Sequence, residues 1–452
     1  METTDKKHIA VKIWANVSRL LLGCVFVFSG FVKAIDPLGF LYKLQDYAEA
    51  FGLISLIPSP TTTLFISGML LAVIEFSVGV FLLLGIRKRM SNYFVLLFML
   101  VMTPLSLYIA LTDPVSDCGC FGDALTLTNW QTFSKNIVLL IAALSVIKWQ
   151  NYLVNILSPK IEWILSLYTF LYGFVLSIYC LNHLPVMDFR PYKIGVDIKA
   201  SMEVPEGAKP NVYESRFVME KDGVKKEFGL ENYPDSTWTF VESRSVLKEK
   251  GYTPAIRDFS IVTLEEGNDV TDQILSDSSY VFLLLAHRIE EADDSYIDLI
   301  NEIYDYSIEH NYKFYALTAS SVEAIETWCD MTGAEYPFCL MDEIALKTML
   351  RSNPGLLLLK NGVVINKWSD ADLPDEYVLT DSLEKLPLGK QPEVNNLYTI
   401  GYALLWFVIP LSLVFVLNAF VKRRERKLQI KQKKVEEQPQ PTCETVEIEI
   451  EK

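Results

Sequence analysis

The sequence predicts a mixed fold, an α-helical multi-pass membrane domain joined to an α/β domain outside the cytoplasm. Three observations predict it. Mean hydropathy is positive, +0.23, in a chain of net charge −15, so apolar and acidic residues must be segregated into different segments. Six stretches reach or approach the length of about 20 mostly apolar residues that a bilayer crossing needs. Beyond about residue 255 the pattern changes to short apolar runs alternating with amphipathic ones, as buried strands and packed helices require.

The 452 residues allow two or three domains, and a 50% hydrophobic composition excludes disorder as the main state. No basic patch lies outside the extreme C-terminus, so no nucleic-acid partner is expected. Seven Cys exclude a disulfide-dense scaffold, and four His are too few for a histidine-rich metal centre. No metal site and no cofactor is evident.

The expected spans run from Trp14 to Ile35, Leu64 to Ile86, Tyr93 to Leu111, Phe133 to Ile147, Ile161 to Leu181 and Leu397 to Val421. The first is too long for a cleaved signal peptide, and Lys33, Asp36 and Pro37 replace a small-residue cleavage site. Basic residues orient the spans. Lys6, Lys7 and Lys12, then Arg87, Lys88 and Arg89, then Lys148 and Lys160, and finally Lys422, Arg423, Arg424, Arg426 and Lys427 all fall on one side by alternation. The positive-inside rule makes that side cytoplasmic, with both termini on it and residues 182–396 outside an inner or cell membrane. The tail from Glu425 to Lys452, charged and containing Gln and Pro, reads as disordered.

The first span reads Leu22-Gly23-Cys24-Val25-Phe26-Val27-Phe28-Ser29-Gly30-Phe31-Val32-Lys33-Ala34, followed by Ile35-Asp36-Pro37-Leu38-Gly39. This resembles the opening of DoxX-like membrane proteins, which implies a four-helix core and a Gly-x-x-Lys turn after the first helix. The loop Asp117-Cys118-Gly119-Cys120-Phe121-Gly122-Asp123 is similar to the signature of the MauE-like branch. That resemblance spans about residues 14–150 and implies a link to redox and disulfide maturation outside the cytoplasm. The run His183 to Gly195 resembles a junction in longer bacterial versions of the family.

Two thiols separated by one Gly bridge only in a tight ring, and Gly119 removes the Cβ penalty for that turn. A strained bridge is the more easily reduced, as a transferable disulfide must be. Against a potent nucleophile, Asp117 and Asp123 flank the pair and no cation is adjacent in sequence, which predicts a raised thiol pKa. Redox exchange, a static bridge or buried thiol pair, and metal binding all remain open. Glu75 sits mid-span, where an ionisable group is costly and marks a candidate intramembrane acid. Lys33 or Arg19 is its expected partner across helices. A structural hydrogen bond, a proton role and a quinone role are the alternatives, the last with no supporting residue pattern. Gly68 and Gly79 read as helix-packing contacts, and Cys24 and Cys180 as small core residues.

In the soluble part, strands are expected at Asp258 to Val262, Tyr280 to Ala286, Lys313 to Thr318 and Tyr336 to Met341. Helices are expected from Asp294 to Asn311, Val322 to Met331 and Glu343 to Arg351, and Asn361-Gly362 marks a hairpin. Strand, helix, strand, helix, strand, helix, hairpin resembles the thioredoxin-like fold, and Asn353-Pro354-Gly355 followed by Lys360-Asn361-Gly362 carries the resemblance, which implies a cis Pro354. It also implies a Cys-x-x-Cys after the first core strand. The chain has His287-Arg288-Ile289-Glu290-Glu291-Ala292 there, so the ordinary dithiol mechanism is not available. His287 reads as a strand-end polar residue, and Cys329 and Cys339 as buried thiols. Before this domain, Met219 to Phe228 around Gly223 reads as a hairpin and Trp238 to Val241 as a strand.

The expected domains are thus a four-helix membrane domain (1–150), a fifth span and junction (151–184), a β-rich extension (185–254), a thioredoxin-like domain without dithiol (255–392), a sixth span (393–421) and a cytoplasmic tail (422–452). Two functions compete. In one, Cys118 and Cys120 carry thiol-redox or electron transfer with an extracytoplasmic protein partner that the outer domain recognises. In the other, the protein is a non-enzymatic membrane-anchored binding protein or scaffold. Transport is weaker, since no discontinuous helix pair or inverted repeat supports it.

Overall fold

The computed structural model describes residues 2–115, 117–205, 207–209, 212–221, 224–229, 232, 237–249, 251–257, 259–392 and 396–436. The chain divides into two compact units, one of Met1–Leu181, Pro185–Met187 and Asn395–Lys452, the other of Asn182–Leu184 and Asp188–Val394.

The first unit contains α1 (Glu2–Ile35), α2 (Pro37–Ala50), α3 (Pro60–Leu84), α4 (Lys88–Thr112), α5 (Asn129–Lys148), α6 (Glu162–Asn182) and, last in the chain, α12 (Asn396–Glu436). Six of these, all but α2, are long and apolar enough to cross a membrane, which makes this a multi-pass membrane protein. Helix α2 occupies a segment for which the sequence reading assigned no element. Its signals are local: Asp36 caps it through Gly39 N–H at 2.9 Å, and Pro37 opens its first turn. Gly30 to Lys33, expected as a turn, is instead the last stretch of α1, and the chain breaks only at Asp36.

Helices α1 and α3 approach closely because glycines line their seam. A Cβ on Gly30 would overlap the Phe76 backbone, and one on Gly79 would overlap the Val27 backbone. Gly68 meets only the side chains of Leu44 and Phe40 on α2. Helices α4 and α5 complete the bundle around Leu22, Phe26, Val78, Leu82, Met99 and Leu139. Beside it, α6 and α12 pack through Leu165 and Val414, and Tyr168 and Tyr172 donate to carbonyls of α12. The tail expected to be disordered from Glu425 is helical to Glu436. Lys, Arg, Glu, Gln and Leu are good helix formers, and a span already formed spares the following residues the cost of nucleation. Residues 437–452 lie outside the described residues.

The second unit contains α7 (Ile198–Met202), β1 (Val212–Lys221), β2 (Val224–Gly229), β3 (Thr239–Glu249), β4 (Val262–Thr263), α8 (Thr271–Leu275), β5 (Tyr280–Ala286), α9 (Ile297–Glu309), β6 (Lys313–Thr318), α10 (Val322–Thr332), β7 (Phe338–Leu340), α11 (Glu343–Met349), β8 (Gly355–Lys360) and β9 (Val363–Ser369). Strands β2-β1-β3 form an antiparallel sheet. Lys221 pairs with Val224, so the expected hairpin is present, while its Gly223 lies outside the described residues. The larger sheet has the order β4-β7-β6-β5-β8-β9, with β5, β6 and β7 parallel and the other neighbours antiparallel. Both faces are covered: Val281, Leu283 and Leu285 of β5 enter one core with α8 and α11, and Tyr280, Phe282 and Leu284 enter another with α9. This is the thioredoxin-like arrangement. The strand expected over Asp258 to Val262 is reduced to Val262–Thr263, because Ile261 N–H is taken by Thr271 Oγ1 at 2.8 Å and its carbonyl by Val270 N–H at 2.9 Å. Asp258 lies outside the described residues.

The junction segment is held on β9 by a buried ion cluster. Lys367 Nζ donates to Asp188 Oδ2 at 2.9 Å and to the Tyr192 carbonyl at 3.2 Å, while Arg190 grips Asp188 through Nε at 2.7 Å and Nη2 at 3.1 Å. Burial pushes the Lys367 amine down to about 8, helped by Arg190 and opposed by Asp188. Burial alone would raise Asp188, but the two cations outweigh it and hold the carboxyl far below its usual range.

Candidate functional site

The Cys118–Cys120 loop and the Glu75–Lys33 pair, separate candidates in the sequence, meet in one place. Gly119 takes φ +60°, the left-handed backbone that a one-residue spacer needs here, and its N–H donates to Asp117 Oδ1 at 2.8 Å. That turn brings the two sulfurs to 3.1 Å as free thiols. The loop is anchored from several sides. Tyr47 of α2 donates its hydroxyl to the Cys118 carbonyl at 3.0 Å, Lys43 pairs with Asp117 at 3.0 Å, and Phe121 is buried against Phe28.

Inside the bundle, Lys33 Nζ and Glu75 Oε2 form an ion pair at 2.7 Å, both side chains almost fully enclosed. Arg19, the other expected partner, donates instead to the Val154 carbonyl at 2.7 Å. Ser29 Oγ accepts from Lys33 at 3.1 Å. It lies 3.0 Å from Glu75 Oε2 and 2.8 Å from the Cys120 carbonyl oxygen, and donates its single proton to one of them. A continuous polar chain thus runs from the α1–α3 ion pair to the Cys120 backbone. Beside it lies a cavity of about 30 Å³, lined by Ser29, Lys33, Glu75, Cys120, Lys135 and Asn136 and walled by apolar side chains; it has room for about one water. Among the described residues, no group of three His, Cys, Asp or Glu is arranged to hold a metal.

The electrostatics reverse the expectation of a raised thiol pKa for one sulfur. The hydrogen bond shared with the Cys118 thiol, with Lys135 and Lys33 nearby, lowers Cys120 despite burial. Cys118, which shares that hydrogen bond, is pushed up by it and by burial. Acidic sequence neighbours do not decide the outcome, because Lys43 neutralises Asp117 and the other cations come from α1 and α5. Sequence reasoning missed Ser29, Lys43, Tyr47 and Lys135. Lys135 was detectable: it is an ionisable residue within the fourth expected span, the same signal that singled out Glu75. Cys24, expected in the core, is exposed on α1, and Cys180 is buried.

In the second unit, His287 directly follows β5 and is buried. Its Nδ1 has no hydrogen-bond partner among the described residues, and neither do Asn353 Oδ1 and Ser352 Oγ. Burial, then Lys347, lowers the His287 imidazole to about 4, against Glu343 and Glu291. Asn353 Nδ2 donates to the Arg288 carbonyl at 2.7 Å, and the Asn353–Pro354 bond is cis. Cys329 is half-buried on α10, Cys339 is buried in β7, and they are not bridged.

A six-span bundle carrying a dithiol loop above an enclosed ion pair, with a thioredoxin-like unit in the same chain, defines the class. Comparison with known families gives the more particular likeness. The family described as methylamine utilisation protein MauE matches residues 11–148, the first four spans and their loops, and a domain family of unknown function, DUF8463, matches 213–250. Among solved structures, one provisionally described as a protein disulfide isomerase of Bacteroides thetaiotaomicron is 17% identical, with 26% of this chain and 77% of that one covered at a TM-score of 0.22. The thioredoxin domain of a thiol-disulfide oxidoreductase from Bacteroides vulgatus is 14% identical, with 24% and 81% covered at 0.20. A peroxiredoxin Q variant from Xanthomonas campestris is 12% identical, with 25% and 82% covered at 0.20. At such scores the thioredoxin-like assignment rests on the strand order itself. No curated protein matches the chain.

Proposed function

We propose that this is a membrane thiol-disulfide redox protein in which Cys118 and Cys120 exchange electrons with an extracytoplasmic protein, while the thioredoxin-like unit recognises that partner without a dithiol of its own. One observation carries the proposal: two free thiols 3.1 Å apart, on a loop whose Cys120 carbonyl lies within hydrogen-bond distance of Ser29, itself bonded to a buried Lys–Glu pair. The family likeness of residues 11–148 supports it, as do the cations that favour a Cys120 thiolate.

Chemically, the Cys120 thiolate attacks a partner disulfide, forming a mixed disulfide and expelling a partner thiolate. The Cys118 thiol then passes its proton to that thiolate and attacks Cys120 Sγ. The second partner sulfur leaves as a thiolate and takes up the proton that Cys120 shed to solvent. The protein ends as a Cys118–Cys120 disulfide and the partner as a dithiol, a transfer of two electrons and two protons. The reverse reaction oxidises the partner. Both termini are assigned to the cytoplasm and residues 182–396 to the outside, as the basic clusters imply.

A mass-tag thiol assay on intact cells tests this, before and after a mild reductant and a recovery chase, with serine replacements as controls. A pair that is partly oxidised, reduces readily and re-forms quickly supports exchange. A pair locked in one state, with normal protein levels after mutation, refutes it and leaves a membrane-anchored binding protein.

A further inference from the structure

At the end of the membrane unit where α3 leads into α4 and α5 into α6, a cavity of about 570 Å³ is lined by Arg87, Lys88, Arg89, Gln150, Asn151 and Asn155. It belongs to neither the dithiol loop nor the ion pair. We infer that it is a binding site for the phosphate-bearing headgroup of an anionic phospholipid.

Charge comes first. The lining holds three cations and one carboxylate, Glu162. That carboxylate accepts the Arg87 backbone N–H at 3.2 Å, and the Arg87 side chain donates to Ser166 at 3.1 Å. Lys88 is held by the Leu153 carbonyl, a neutral acceptor, and among the described residues no carboxylate lies within ion-pair distance of Lys88 or Arg89. Three cations share this open groove with the single carboxylate Glu162, which leaves a net positive charge that a further anion would neutralise.

The backbone supplies a second, independent signal. Helix α4 has 25 residues, and its N-cap, Arg87, makes no side-chain capping bond. Its first intrahelical bond is Ser91 N–H to the Arg87 carbonyl at 3.0 Å, so the N–H groups of Lys88, Arg89 and Met90 remain without acceptors among the described residues. Those residues line the cavity. Free helix-start donors, the positive end of the helix dipole and three cationic side chains together form an anion site suited to phosphate. The side-chain amides of Gln150, Asn151 and Asn155 add neutral donors for headgroup hydroxyls or ester oxygens.

The outer surface selects a lipid over a soluble phosphate. From the rim, α4 presents Met90, Tyr93, Leu97 and Leu100 in a row, exposed by 59%, 56%, 64% and 51%. These positions follow the helical repeat down one face, so a ligand whose head fills the cavity can lay an acyl chain along them. The surrounding end of the unit is basic, which enriches anionic lipid there.

The test uses the delipidated full-length protein. Native mass spectrometry and thermal unfolding are read with dioleoyl-phosphatidylglycerol, dioleoyl-phosphatidylcholine, glycerol 3-phosphate and inorganic phosphate as separate probes. The expected result is selective retention of phosphatidylglycerol with a raised unfolding midpoint, weakened about tenfold by Arg89→Gln and unaffected by Arg423→Gln on α12. Arg89 is exposed and has no ion-pair partner among the described residues, so its replacement leaves the bundle intact. Equal retention of the two lipids, or an Arg89→Gln protein that binds as the wild type does, overturns the site. An equal response to glycerol 3-phosphate overturns the lipid assignment.

Discussion

At the scale of single residues, the division of labour between Cys118 and Cys120 is a matter of one proton. The two thiols share one hydrogen bond that either sulfur can donate; that bond with the nearby cations lowers Cys120, and with burial it raises Cys118. Alkylation of Cys120 in the reduced protein is therefore expected to show a pH midpoint below that of an ordinary thiol. In Cys118→Ala the midpoint moves up by a unit or more, because the largest cause of the depression is gone; Lys135→Met moves it less. A midpoint unmoved by Cys118→Ala would show that the cations, not the thiol, set the thiolate. His287 is a second residue with a readable sign. Its folded-state value lies below its ordinary 6.5, at about 4, so the unfolded chain takes up the proton first as pH falls. Stability is unaffected above about 6.5 and declines between there and about 4, by roughly 3 kcal/mol at most. Denaturation of the second unit followed against pH checks this, and His287→Gln should flatten the slope.

At the scale of elements, the α1–α3 seam decides whether the site exists. Lys33 reaches Glu75 only because Gly30 and Gly79 let the two backbones close up. Gly30→Leu is expected to separate the helices, lower the yield of folded protein in detergent and slow re-formation of the cysteine pair. Glu75→Gln leaves a buried ammonium without its counter-ion, at a cost of roughly 3–5 kcal/mol, whereas the double change Lys33→Met with Glu75→Gln recovers much of that loss. Thermal unfolding of the three variants separates these outcomes; equal midpoints for single and double changes would deny the pair its structural role. In the second unit, Asp188→Asn strands Lys367 and Arg190 in the same way, and increased hydrogen exchange of β9 is the expected consequence.

At the scale of the whole molecule, the proposed orientation of the spans has a direct readout. A reporter that fluoresces only in the cytoplasm is expected to be bright when fused after Glu436 and dark when inserted at the Asn361-Gly362 turn. The reverse pattern would invert the protein and place the dithiol loop in a reducing compartment. Much of the architecture was legible in the chain. The six spans follow from apolar length, which needs no tertiary information because a bilayer tests each segment separately. Strands β5 and β6 lie where the apolar runs place them, since both faces of the sheet are covered. The tail was misread because its charged composition hides good helix formers that extend a helix already begun. What the sequence by itself determined, then, is the number of spans and the α/β order. Only the tertiary structure decided that Cys120, Ser29, Lys33, Glu75 and Lys135 line one cavity, and that cations from α1 and α5 bear on the Cys120 sulfur. Helical periodicity and hydropathy act along the chain, whereas the field at a sulfur is set by groups a few ångströms away through space, delivered by different helices.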